Sequence, residues 1–153
     1  MHPGPVQRVA FLGNHLPRHC GIATFTTDLC NAFAAEFENL DLFVLAMNEG
    51  EATRPYPARV RFELAADDRR AYLRAADFLN VNAVDVLSVQ HEYGIFGGKA
   101  GSHVLTLLRD LRMPIVTTLH TILSEPNPEQ RRVMQEIVRV SERMVVMSED
   151  GAS

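Results

Sequence analysis

Arg8-Val9-Ala10-Phe11-Leu12-Gly13 is a compact apolar run that ends on glycine, the pattern of a strand buried on both faces. A turn-rich stretch follows, and then 22–37 places Phe25, Leu29, Phe33 and Phe37 four apart, so that their side chains share one helical face. Thr24 or Thr26 stands where a hydroxyl serves the helix start. Strand, turn and helix in that order begin the alternation of a parallel sheet with crossover helices. Residues 40–47 read as a second strand and 48–58, with two prolines and a glycine, as a surface loop. Over 59–64, Val60, Phe62 and Leu64 alternate with Arg59, Arg61 and Glu63, which predicts a strand at or near an edge. Asp67 or Asp68 caps a helix to about Asn80, with Tyr72, Ala75, Ala76 and Leu79 on its buried side. A strand over 84–90 leads to a helix that Gly101 or Ser102 opens and Arg112 closes, striped by Val104, Leu105, Leu108 and Leu111. A strand over 115–119, a helix led by Pro128 with Val133, Met134, Ile137 and Val138 inward, and a strand over 144–147 complete the pattern. The expected class is α/β, a parallel sheet flanked by helices, with 1–7 as a tail and 8–153 as one domain. Residues 148–153 look like the entry to a further helix, which predicts that the chain is part of something longer.

Composition narrows the function. The 153 residues are 46% hydrophobic and 22% charged, a globular composition with room for one core. Disorder and collagen-like classes are excluded. The formal net charge is −4, and the 15 Lys and Arg are scattered, which argues against nucleic acid as the main partner. Cys20 and Cys30 form no CxxC pair, and Met1 to Gln7 lacks the apolar core of a secretory leader, so a reduced cytoplasm is expected. No apolar run reaches the length of a membrane span.

Ligands of open parallel sheets bind outside the carboxyl ends of the strands, so the residues there carry the functional test. After the first strand come His15, Arg18, His19, Cys20 and Gly21; after the 84–90 strand come His91, Glu92, Tyr93, Gly94, Gly97, Gly98 and Lys99; after the 115–119 strand come His120, Thr121, Ser124 and Glu125. The chain's only Lys is among them. Segments at the opposite edge, Asn82-Ala83 and Met113-Pro114, are short and plain. Gly97, Gly98 and Gly101 with Ser102 suit either a backbone cradle for an anion or a mobile loop. Arg18 with His19 suits an anion clamp or a solvated turn. Gly21 suits close approach to a ligand or a simple turn. No Walker A pattern ends at Lys99 and no G-x-G-x-x-G follows the first strand. His91, Glu92 and His120 invite a metal, but neighbours on an extended strand point to opposite faces, so no metal is expected. Cys20 lacks an oxyanion-hole signature beside it and reads as a small residue instead of a nucleophile.

Arg18-His19-Cys20-Gly21-Ile22-Ala23-Thr24-Phe25, Gln90-His91-Glu92-Tyr93-Gly94-Ile95-Phe96-Gly97-Gly98, Thr117-Thr118-Leu119-His120-Thr121 and Val145-Val146-Met147-Ser148 together resemble the N-terminal half of retaining glycosyltransferases of the group 1 (family 4) type. The resemblance implies a Rossmann-like domain, half of a GT-B fold, which receives a hydroxyl acceptor while a C-terminal domain holds most of a nucleotide-sugar donor. It implies that Gly21, with Cys20, Ile22 and Arg18, lies near the donor phosphates, although many members carry a second Gly where Cys20 stands. His120 corresponds to a histidine that contacts the donor sugar, and His91, Glu92, Tyr93, Gly97, Gly98 and Lys99 correspond to a cleft loop. It further implies sugar transfer with retention and no obligatory metal or cofactor, inactivity without the C-terminal domain, and membrane-surface association of the full-length enzyme. The sheet edge and last strand, left without a covering helix, are expected to expose apolar side chains such as Val145 and Met147 and so to favour self-association. The alternative is a stand-alone Rossmann-like module that binds an anionic small molecule through the Gly21 and Gly97-Gly98 loops without catalysis.

Overall fold

A computed structural model describes residues 5–50 and 53–146. Its six strands form one all-parallel sheet in the order β3-β2-β1-β4-β5-β6. The strands are β1 (Arg8–Gly13), β2 (Asp41–Asn48), β3 (Val60–Ala65), β4 (Val86–His91), β5 (Ile115–Leu119) and β6 (Arg143–Val146). The helices are α1 (Gly21–Glu36), α2 (Arg69–Val81), α3 (His103–Leu108) and α4 (Pro128–Val140), with short 3-10 turns at Tyr93–Ile95 and Lys99–Gly101. The chain runs outward from β1 to β3, crosses back to β4, and continues to β6. Right-handed crossovers then place the helices of the two directions on opposite faces.

The two cores bear this out. Ala10 and Leu12 of β1 pack with Phe43 and Leu45 of β2 beneath Tyr72 and Leu79 of α2, Leu107 of α3 and Ile137 of α4. Val9, Phe11, Val44 and Ala46 point the other way, onto Cys30, Leu29 and Phe33 of α1. This is the expected α/β class, Rossmann-like in its layers and strand order. No helix among the described residues is long and apolar enough to cross a membrane.

Several elements differ from the sequence expectation. The buried positions of α1 are Ala23, Thr26 and Cys30, because small side chains let the helix lie close on the sheet. The aromatic stripe flanks that contact: Phe33 meets Phe11 edge-on at 5.4 Å, and Phe37 is exposed past the helix end. The cap of α1 is Cys20, whose Sγ accepts from Ala23 N at 3.3 Å; Thr26 Oγ1 instead donates back to Ile22 O. Strand β4 takes in His91, which sequence reading placed in the loop. Helix α3 stops at Leu108, because Asn80 of α2 donates to Asp110 O and accepts from Arg112 N, taking the last turn out of the helix. Val138 is 50% exposed and lines a cavity, while Val133 and Ile137 carry the buried side of α4. Asp68 caps α2, and a capping box of Asn127 with Gln130, followed by Pro128, opens α4. Met147 and the expected further helix entry at 148–153 lie outside the described residues.

Candidate functional site

The carboxyl ends of β1, β4 and β5 open on one crevice of about 470 Å³, lined by Asn14, Arg18, Cys20, Gly21, Ile22, Glu92, Gly94, Ile95, His120 and Thr121. Its floor is the start of α1. The Cys20 Sγ and carbonyl occupy the N–H groups of Ala23 and Thr24. Those of Gly21 and Ile22 have no partner among the described residues, and they face the crevice at the positive end of the helix dipole. A methyl group added to Gly21 would meet nothing within 4 Å. The glycine therefore leaves open space at the helix start.

His120 stands opposite, one residue past β5. Its backbone N–H donates to His91 O at 2.9 Å, which carries the sheet ladder beyond the strand. Its ring meets Phe25 edge-on at 4.8 Å. Gln90, fully buried, donates from its amide to Ser88 Oγ at 3.0 Å and turns its Oε1 to His120 Nε2 at 2.9 Å. Nε2 thus carries the proton. Burial lowers the His120 pKa, against a smaller opposing effect of Glu92, so the ring is neutral near pH 7 and Nδ1 keeps its lone pair to accept a hydrogen bond. Gly13 makes room for this arrangement, since a Cβ there would stand 2.9 Å from Gln90 Cβ.

Arg18 is in the crevice wall but its guanidinium is engaged. It donates to Asn14 Oδ1 (2.9 Å), Met47 O (3.0 Å) and Glu49 Oε1 (2.5 Å). Asn14 in turn donates to Cys20 Sγ at 3.2 Å, so Arg18 braces the first loop against the end of β2. Glu92 accepts from Gly94 N at 2.8 Å and caps the first 3-10 turn.

The crevice thus gathers Arg18, Cys20, Gly21, Ile22, Glu92, Gly94, His120 and Thr121 and leaves out the rest of the anticipated set. His91 points into the core, with Phe96 stacked at 5.8 Å and Tyr93 edge-on at 5.0 Å. It cannot share a metal with Glu92 and His120, and no trio of His, Cys, Asp or Glu suited to a metal occurs among the described residues. Tyr93 lines a neighbouring cavity. Gly97 packs on the turn before α2, where a Cβ would fall 2.2 Å from Ala66 O. Its N–H and those of Gly101, Ser102 and His103 bond within the loop or to α2 and the turn before it, so these four donors are spent on packing the loop. Lys99 lies by Asn127 and Glu129 at the start of α4. Sequence reading missed Asn14 and Gln90. A glutamine closing an apolar strand was the available signal for the second.

Fold and crevice together define a Rossmann-like α/β domain with its polar residues at the carboxyl edge of the sheet. No family model and no curated protein matches the chain. Among solved structures, it resembles an alpha-glucosyltransferase in complex with UDP and a 13-mer DNA containing an HMU base, with a TM-score of 0.62 at 12% identity over 93% of this chain and 38% of that one. A second alpha-glucosyltransferase structure, with UDP and a 13-mer DNA containing a central A:G mismatch, gives 0.58 at 11% identity over 91% and 37%. The likeness is one of fold: a six-stranded parallel sheet flanked by helices, shared with part of these alpha-glucosyltransferases. The chain spans somewhat over a third of the length of these neighbours.

Proposed function

We propose that the crevice binds a nucleoside-diphosphate sugar and that, joined to a second domain, it transfers the sugar to a hydroxyl acceptor with retained configuration. The observation that carries this reading is the meeting, in one hollow, of the unspent Gly21 and Ile22 N–H groups with the neutral, oriented ring of His120. The N–H groups suit phosphate oxygens. The free Nδ1 of His120 suits a sugar hydroxyl, whose hydrogen bond strengthens as positive charge builds at the anomeric carbon. The bond from that carbon to the phosphate breaks, its electron pair leaves with the diphosphate, and the acceptor oxygen bonds on the same face and passes its proton to the departing oxygen. With Arg18 spent on Asn14, Met47 and Glu49, the diphosphate needs cations from the second domain. The alpha-glucosyltransferase neighbours were captured with UDP, in keeping with a nucleotide donor. The scattered basic residues favour a small-molecule acceptor over nucleic acid, and the two free cysteines fit a reducing cytoplasm.

Calorimetry of this chain with a panel of nucleotide sugars tests the reading. One member should bind weakly, with no multiple-turnover transfer. Gly21→Ala and His120→Ala should each lower that affinity about tenfold, while Gly21→Ala keeps the melting temperature, since its methyl meets nothing. Absence of binding across the panel, or affinities unmoved by both substitutions, would overturn it.

A further inference from the structure

Beside the crevice lies a second hollow of about 330 Å³ that the transfer chemistry leaves unused. Leu119 of β5, Ile122 and Leu123 of the following loop, and Met134 and Val138 of α4 form it, with Tyr93 closing one side. Its size is that of small-ligand pockets. Ile122 is 46% and Val138 50% exposed, so a pair of large apolar side chains stands bare at its mouth. The hollow adjoins the crevice: Thr121 lines both, and the neighbours Glu92 and Tyr93 divide between them, one to each. Arg131 is the one charged residue on its wall. Arg132 pairs with Glu129, and Glu136 takes Arg109 and Arg139, whereas Arg131 makes no ion pair among the described residues.

Resting on the proposed sugar-transfer reading, we infer that the acceptor is an amphiphile whose apolar group fills this hollow, with an anionic group beside Arg131 and its hydroxyl reaching past Thr121 toward His120. The apolar lining supplies a desolvated seat, and the unpaired guanidinium selects the charge next to it. A neutral apolar compound fits half of this wall, and a free phosphate fits the other half.

The experiment is a titration of the chain, labelled with 13C at its methionine methyls, with monomeric octyl phosphate, octanol and inorganic phosphate. Met134 is the reporter. Octyl phosphate should move its resonance saturably, and inorganic phosphate should not. Val138→Glu, at an exposed position, should weaken octyl phosphate about tenfold or more, with Ile122→Asp as an independent second variant. Arg131→Gln should weaken octyl phosphate about threefold and leave octanol unchanged. No movement of Met134, or equal binding by wild type and both mouth variants, overturns the inference. Octanol binding as tightly as octyl phosphate overturns its anionic half. Association with phosphatidylglycerol vesicles without any response to the monomeric probe overturns it in favour of a membrane surface. Nucleotide-sugar binding read at the His120 ring separates the two readings: a responsive His120 with a silent Met134 sinks only this inference, and the reverse sinks only the sugar-transfer reading.

Discussion

His91 is fully buried, and neither ring nitrogen has a hydrogen-bond partner. Burial, with a smaller effect from His120, pushes its pKa down to about 4 from 6.5. The folded protein therefore binds fewer protons than the unfolded chain between those values. The resulting stability is complete above pH 6.5 and drains as pH falls toward 4, by roughly 3 kcal/mol at most. His15 and His120 are lowered as well, and act in the same direction. Urea melts of wild type and His91→Leu should show a steep loss of stability between pH 6.5 and 4 for the former and a shallower one for the latter; parallel curves would assign the acid sensitivity elsewhere. The side chain's fate was illegible in the sequence because one residue of strand length decides it. With β4 ending at Gln90, His91 is a loop ligand; with β4 reaching His91, alternation with Leu87 and Val89 turns it into the core. His120 was legible because a single apolar strand points to it. Its partner Gln90 lies 30 residues away, and nothing local encodes that meeting.

Among the elements, boundaries set by local chemistry were readable and those set at a distance were not. Asp68 and the Asn127-Pro128 pair act on the backbone within three residues, so a sequence reader sees both partners at once. The end of α3 depends on Asn80 in another helix. The glycine-bearing segment after β4 is a similar case. Gly97 N donates to both Ala66 O (3.1 Å) and Tyr72 Oη (3.2 Å), and Tyr72 also donates to Ala66 O at 2.8 Å. This three-way contact pins the segment after β4 to the start of α2. Gly97→Ala should cost at least about 2 kcal/mol, because its methyl meets backbone that cannot yield, whereas Gly21→Ala should cost nothing measurable. Thermal melts of the two variants side by side make the comparison, and equal melting temperatures would refute the packing role given to Gly97.

At the scale of the whole molecule, the helices are unevenly shared. Among the described residues, three lie on one face, and α1 alone covers the other over β1 and β2. β6 is the outermost strand on its side of the sheet among the described residues, with Val145 40% and Val146 37% exposed. An open edge beside bare apolar side chains invites a second chain. Sedimentation velocity at rising concentration should reveal self-association that Val145→Lys suppresses, and a single monomer boundary at millimolar protein would contradict it.

The central place of β1 has a consequence for biosynthesis. β1 leaves the ribosome before both of its neighbours in the finished sheet, β2 and β4, and the backbone N–H groups of Gln7 and Arg8 rest on the Asp85 carboxylate. Until residue 91 has emerged, Val9 to Leu12 have only half of their lateral hydrogen bonds. The nascent polypeptide thus carries this apolar strand incompletely sheltered until β4 is made, the interval in which a holding chaperone has something to recognise.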